Sequence, residues 1–423
     1  SPLKKLEEPA EAPYNYRFIR FNAVVSTDED QTVVGTGDLV SRWTKAGRSY
    51  FHYRSERPIP FRFAFSSARY RKRTAAYRNI PIEVYFDERH SVNVGQLIRD
   101  AKTTLEYGEK NFGTYPHAVI RFAEISGFAE GFAATAYPGT IFMKENGGFH
   151  NNVSRGDQHD VINALAGHEL SHQWWGTSRL DPEYKEGGWL LTETLAKYTE
   201  LMLYEKSHGK DALRELIRYH LDTYLSLRSY SRETPLVKTT FETPHLPYNK
   251  GFVVMYQLKE LIGEQAVNRA LKSLLARHGF PKPPADANDL LAEFHRVSPE
   301  SAHPVIDELF CKIILFDGRI GRADDRVVPG GHEVVFAGTM QKFQEDGRGN
   351  RRHLDFTGLV EVGVYDVLGK LTVRSLPVIK GNVSGTIALR EKPVRIVMDP
   401  SYHRIDAFPA DNERVVALAG RPW

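Results

Sequence analysis

His168-Glu169-Leu170-Ser171-His172 is the stretch of this chain whose residue types and spacing can do chemistry. It lies in a helical pattern in which Val161, Leu165, His168 and His172 share one face. Residues four apart on a helix are neighbours, about 6 Å apart along the axis. Two neutral imidazoles so placed can hold one Zn²⁺ at about 2.0–2.1 Å. Glu169 is rotated off that face, so its carboxylate reaches a water beside the metal rather than the metal itself. Zinc lowers that water's pKa to about 7, and the carboxylate accepts its proton as it attacks a carbonyl. The pentapeptide alone also occurs on ordinary helices, so a third ligand must be found. A second helical stretch over 189–198 supplies Glu193 among apolar neighbours, where an unpaired carboxylate is costly. Glu186, in the intervening loop, is its rival.

Positioning these groups falls to a chain of 423 residues, enough for two to four domains at roughly 100–200 residues each. With 41% hydrophobic and 26% charged residues the composition is that of a folded protein. A formal net charge of +3 gives no reason to invoke nucleic acid as a partner. The basic run Arg69-Tyr70-Arg71-Lys72-Arg73 reads as a solvated strand end or loop. One cysteine, Cys311, excludes both a disulfide framework within the chain and a four-cysteine zinc site, and reads as a small buried hydrophobe. No apolar run approaches the roughly 20 residues that span a bilayer. The start at Ser1-Pro2-Leu3 suggests a piece of a longer protein.

Along the chain, residues 1–13 read as a linker, and residues 14–85 as strands. In the run 61–65, Phe61, Phe63 and Phe65 alternate with Arg62 and Ala64, as in a half-buried strand. Helical spacing is expected over 94–112, 161–176, 189–206, 211–227, 251–262, 265–278 and 287–296, with a strand over 118–122. From about 310 to 410, short β-type runs alternate with turn signals, the pattern of a separate sandwich. The divisions expected are a β-rich segment (1–85), a catalytic domain (86–205), its helical continuation (206–309) and a C-terminal β-sandwich (310–423).

The run from His168 through Gln173-Trp174-Trp175-Gly176 resembles the zinc helix of the aminopeptidase N family, gluzincin peptidases with a thermolysin-like catalytic domain. That family places a glutamate eighteen residues after the second histidine, in a W-L-x-E-x-x-A context. Trp189-Leu190 and Ala196-Lys197-Tyr198 flank Glu193 in a similar way, but twenty residues, 173–192, intervene. Eighteen would put Leu191 in the ligand place, and leucine cannot bind zinc. The resemblance therefore implies a two-residue insertion in the loop 179–188, with Glu193 as ligand. Pro247-Tyr248-Asn249-Lys250-Gly251 resembles the family's P-Y-x-K-G segment, which implies that Tyr248 donates its phenolic O–H to the oxyanion. The family's G-x-M-E-N segment, whose glutamate binds the substrate amine, corresponds here to Ala133-Ala134-Thr135-Ala136-Tyr137, with Ala136 in the glutamate place. Glu130, in the preceding loop, is a candidate substitute. This departure puts strict aminopeptidase action in question, but not hydrolysis.

The resemblance covers about residues 50–315. Within the family, the Phe/Ala-rich segment, Trp174-Trp175-Gly176 and Val397-Met398-Asp399-Pro400 look most like peptidase domains fused to bacterial ABC-transporter permeases. That implies a transmembrane transporter region in the full-length protein and a place on the extracytoplasmic (periplasmic) face, with the cytoplasm as the alternative. The expectation is an α+β multidomain protein: β segment, thermolysin-like zinc domain, helical region and C-terminal β-sandwich. It would use one Zn²⁺ per chain on His168, His172 and Glu193, with Glu169 and Tyr248 as catalytic groups and peptides as substrates. A second reading is a peptide-binding or regulatory domain of a membrane transporter that cuts nothing. Such a module has no need of Glu169.

Overall fold

The sheet that carries the site is built from strands that alternate faces. The computed structural model describes residues 3–5, 18–152, 159–182 and 184–418. Its central five-stranded sheet runs in the order Ala134–Tyr137, Thr140–Lys144, Ile120–Ile125, Ile80–Phe86, Arg71–Tyr77. The middle three strands are parallel, and the two edges are antiparallel to their neighbours. Because side chains alternate with period two, Ile82, Val84, Phe122, Ile141 and Met143 enter the main core with the helices. Tyr85, Ala123 and Phe142 face the other way, against Val34 and Ala64 of the N-terminal β segment. Both faces are covered, as a parallel sheet requires.

The helical layer follows the apolar spacing. α1 (Val94–Asn111) buries Val94, Leu97, Ala101 and Leu105, and α2 (Val161–Ser171) buries Ile162, Ala166 and Leu170. Gly108 of α1 allows the ring of Trp174 to lie against its backbone; a Cβ there would sit 2.4 Å from the indole. α3 (Leu195–Leu227) follows a wide turn, Leu190–Thr194, and is broken at Gly209, between the two expected helices. α4 (Gly251–Ile262), α5 (Glu264–His278) and α6 (Ala287–Val297) fall where the spacing predicts them. α7 (His303–Cys311) is an additional helix started by Pro304, and Cys311 at its end is half-buried rather than buried. Beyond it lie two antiparallel sheets. One is built on the long hairpin Ile313–Val328 and Gly331–Glu345, and the other on Gly358–Asp366 and Pro393–Met398. They close over a core of Ile320, Val334, Phe336, Val362, Val364, Ile387 and Ile396. The expected fold class, mixed α+β with β layers at both ends, is what the chain adopts.

Two expectations fail. Of the leading stretch 1–13, Leu3–Lys5 is not a free linker, because its backbone pairs with residues 185–186 (Glu186 N to Lys4 O, 3.0 Å) and Leu3 packs on the core. Residues 6–17, where a first strand was expected to begin, lie outside the described residues. The run 61–65 is not a strand: regular pairing begins only at Phe65, and Phe61, Arg62 and Phe63 are exposed. The two-residue strand Ile59–Pro60 ends there, and Arg62 N–H turns back onto the Pro60 carbonyl (2.5 Å) instead of joining a ladder.

One ion-pair network ties the helical region to the C-terminal sheets. The buried Glu233 accepts from Lys250 Nζ and Tyr224 Oη (2.7 Å each) and from Arg228 (2.8 Å), and Arg228 also reaches Glu345 at 2.5 Å. Burial alone would raise the Glu233 carboxyl, but Lys250 and Arg228 overcome it and hold the group at about 2. A depressed carboxyl contributes stability that is complete above its ordinary value of 4.5 and is lost as pH falls from there toward 2. Glu233→Gln is therefore expected to cost roughly 3 kcal/mol at pH 7. In urea titrations the gap to the parent should shrink between pH 5 and pH 3, and a gap that does not change with pH would refute this assignment.

Candidate active site

α2 ends at the C-terminal cap His172, and its last turn presents His168 and His172 to the start of the Glu193 segment. Their Nε2 atoms are 3.3 Å apart, and Glu193 Oε2 lies 3.2 Å from that of His168 and 3.4 Å from that of His172. A tetrahedral ion at 2.0–2.2 Å from each ligand would need ligand spacings of about 3.3–3.6 Å, so this triangle matches zinc closely. Glu193 Oε2 is buried and accepts no hydrogen bond. An acceptor left in that state costs free energy unless a cation is present. The donor set, two imidazoles and a carboxylate, therefore fits Zn²⁺.

The tautomers suit the same purpose. His172 Nδ1–H donates to the Trp175 carbonyl oxygen (2.9 Å), which leaves its Nε2 lone pair for a metal. That carbonyl is held in place by buried packing: Trp174 Nε1–H donates to Gly113 O (2.7 Å) and Trp175 Nε1–H to Thr199 Oγ1 (3.3 Å). Glu200 Oε2 lies 3.4 Å from His168 Nδ1. Burial disfavours the His168 cation, yet Glu193 and Glu200 outweigh it and raise its pKa to about 9. A proton thus competes with a metal for this nitrogen. Burial would also raise Glu193 and Glu200, but the imidazoles beside Glu193, and Lys197 together with His168 beside Glu200, hold both well below the usual carboxylate range.

Glu169 is buried, and burial pushes its carboxyl up. Tyr248 enters from the turn Leu246–Lys250 ahead of α4, its ring 5.7 Å from that of His168. Burial raises its phenol, with the charges of Glu193 and Glu169 adding to the effect, so it stays a donor. The approach of this turn depends on Gly251, where a Cβ would meet Thr194 Oγ1 at 2.5 Å. Thr194 in turn donates to Pro247 O (2.7 Å) and fixes the turn beside Glu193.

The fold thus brings His168, His172 and Glu193 into one triangle, with Glu169 and Tyr248 at its side. Glu186 is engaged elsewhere, accepting from Lys4 N at 3.1 Å and lying 3.9 Å from Lys238. Glu130 is exposed on the loop before the edge strand, and Ala136 is buried in the main core. Sequence reasoning missed three participants. Glu200 falls seven residues after Glu193, two turns along the same helix, and that repeat of a carboxylate among apolar residues was a usable signal. His220 lies 3.8 Å from Glu200 and 2.9 Å from Asn249 Oδ1, linking the metal helices to the Tyr248 turn, and no spacing rule connects it to them. Arg62, from the misread run 61–65, donates to Thr135 Oγ1 (3.0 Å), with its guanidinium 5.2 Å from the centre of the Tyr137 ring.

Known proteins similar to this chain are peptidases of one family. A model of the peptidase family M1 domain matches residues 98–309. Human endoplasmic reticulum aminopeptidase 2 is 25% identical over 186 residues, which cover 42% of this chain and 19% of that protein. A crystal structure of Legionella pneumophila aminopeptidase A in complex with aspartic acid has the same fold, with a TM-score of 0.62 at 14% identity. That match covers all of this chain and 48% of the other. The chain spans about half, or less, of the length of each of these two relatives.

For a metal held by His168, Glu200 would be the carboxylate that orients the ligand imidazole, its Oε2 lying 3.4 Å from Nδ1. Glu200→Gln is expected to weaken Zn²⁺ binding by about 10–100-fold. Competition with a chromogenic chelator reads this directly, and an unchanged affinity would remove Glu200 from that role.

Proposed function

The chain belongs to peptidase family M1, and from that premise we propose that it is a zinc metallopeptidase that hydrolyses peptide bonds. The carrying observation is the triangle of 3.2–3.4 Å among His168, His172 and Glu193, with the buried Glu169 beside it. These three residues hold the metal, and bound Zn²⁺ supplies a Lewis acid that brings the pKa of a water to about 7. Glu169 takes the proton of the attacking water and returns it to the leaving amine. A carboxyl raised by burial is suited to that exchange. Tyr248 donates its O–H to the oxyanion.

The amino-end anchor is where this chain parts from a simple aminopeptidase. At the place where the family resemblance puts a carboxylate stands Ala136, buried in the core. The charged group beside that strand is the cation Arg62, on Thr135. A guanidinium repels a free ammonium, so the reading is an aminopeptidase-like hydrolase whose altered anchor also admits peptides with a blocked amino end. The binding-module alternative explains the lost anchor equally well but gives Glu169 nothing to do. The sequence resemblance alone supports a setting on the extracytoplasmic side of a bacterial membrane, in a longer protein with a transporter region. Among the described residues no helix is long and apolar enough to cross a membrane.

Glu169→Gln should retain zinc and lose at least about 100-fold in turnover, and near-normal turnover in the zinc-loaded variant would sink the role. Tyr248→Phe should lose about 10²–10³-fold, as for removal of one oxyanion donor. One peptide offered with a free and with an acetylated amino end should be cut in both forms, and a chelator should stop both. Arg62→Glu should shift the preference toward the free amine. Cleavage of the free form alone would disprove the altered anchor. If zinc-loaded protein cuts neither form across several sequences, the binding module replaces the hydrolase.

A further inference from the structure

The three parallel strands of the central sheet end together, and the carboxyl ends of parallel strands are where α/β sheets gather ligand groups. Strand Ile80–Phe86 leads into the short turn Glu88–His90, strand Ile120–Ile125 carries Glu124 near its end, and strand Thr140–Lys144 runs into the turn Glu145–Phe149, capped by His150. There one ligand atom each from His90, Glu145 and His150 lies within 4.8 Å of the others. The rings of His90 and His150 have centroids 4.8 Å apart. Glu145 Oε2 is 3.9 Å from His90 Nδ1, and the buried Glu124 contacts the same nitrogen through Oε1.

Two carboxylates therefore converge on one imidazole. Among the described residues neither has a lysine or arginine partner; their ion pairs are with His90. Their remaining oxygens are taken by backbone: Glu124 Oε2 accepts from Asp87 N (2.6 Å) and Glu145 Oε1 from Gly127 N (2.9 Å). Glu124 is buried and Glu145 is 30% exposed, and with the exposed Arg89 acting on both only at longer range, two carboxylates on one imidazole leave negative charge that a further cation would offset.

We propose that His90, Glu145 and His150 form a second divalent-metal site, for zinc or a similar ion, in which Glu124 accepts from His90 Nδ1–H and so leaves Nε2 as that residue's ligand atom. Imidazole and carboxylate together are the donors such an ion takes, and a carboxylate on a ligand imidazole is the usual supporting contact. The separation from Glu145 Oε2 to His90 Nδ1, 3.9 Å, is longer than any side of the catalytic triangle, 3.2–3.4 Å. Its third ligand, His150, is exposed. It therefore binds more weakly, and the ion is exchangeable from solvent. The turn that carries Glu145 and His150 packs beside α2, with a Cβ on Gly147 coming within 3.8 Å of Leu165. An ion here would thus brace the flank of the metal helix and the loop that leads to the edge strand.

The test is Zn²⁺ alone, titrated into tag-free, chelator-stripped protein and read by calorimetry together with elemental analysis after desalting. The parent should take two equivalents, the second at least about 10-fold weaker. His168→Ala/His172→Ala should remove only the tight one. His150→Ala, at an exposed position where folding is not at stake, should remove only the weak one, and adding His90→Ala should change nothing more. A parent that saturates at one equivalent overturns the proposal. So does a second equivalent that survives His150→Ala.

Discussion

The constraint on which the rest of this molecule depends is the burial of opposite charges around His168. Glu169, Glu193 and Glu200 all stand at 12% side-chain exposure or less, or are buried outright, inside a layer that is otherwise apolar. Taking an ionised carboxylate out of water costs several kcal/mol even after relaxation. Only a dense set of partners offsets that cost, and the fold supplies them: two imidazoles for Glu193, Lys197 and His168 for Glu200, and His220 beyond. Hence the tight helix pairing. α2 and α3 must come close enough to bring Glu193 and Glu200 onto one histidine, and the wide turn Leu190–Thr194 lets the first of these face the triangle.

The same logic reaches outward to the second half of the chain. Tyr248 can approach only because Lys250, two residues on, is neutralised in the core by Glu233, and Glu233 is shared with Arg228. Arg228 then spends its other contact on Glu345, at the end of a long strand of the C-terminal sheets. The C-terminal sheets thereby take part in fixing the turn that carries Tyr248. Asn249 adds a second tie, through His220 to Glu200. The two residues after Tyr248 are thus each tied to a buried charge, and the residue before it accepts from Thr194, so its position is set by electrostatics as much as by packing.

What the sequence made legible follows from which interactions are local. The i, i+4 histidines, the helix limits of α4, α5 and α6, and the β pattern beyond residue 310 are all written in short-range periodicity, and they were readable. Glu193 was readable too, because a carboxylate among Leu190, Leu191 and Leu195 has few structural excuses. The run 61–65 misled because alternation is necessary for a half-buried strand but not sufficient, and the backbone turns back on itself at Arg62. Arg62, His220 and the Glu233–Lys250 pair were out of reach, since Arg62 meets Thr135 across 73 residues, His220 meets Asn249 across 29 and Glu233 meets Lys250 across 17, and only the fold joins them.

Glu169 decides between cutting and merely binding. A module that only holds peptides gains nothing from the buried carboxyl of Glu169, whose burial holds its pKa above the ordinary value. It would be more stable with a neutral residue of the same shape, because the desolvation cost would vanish. Arg62 and the ligand imidazoles ease that cost but do not remove it, and the carboxyl remains above its ordinary pKa. A chain that keeps such a group beside a vacant-acceptor triangle is keeping strain that stability alone would discard. The altered strand at Ala136 argues the other way only for the choice of substrate. On the proposed reading it would change which end of a peptide is held, while Glu169, Tyr248 and the His168–His172–Glu193 triangle stay together.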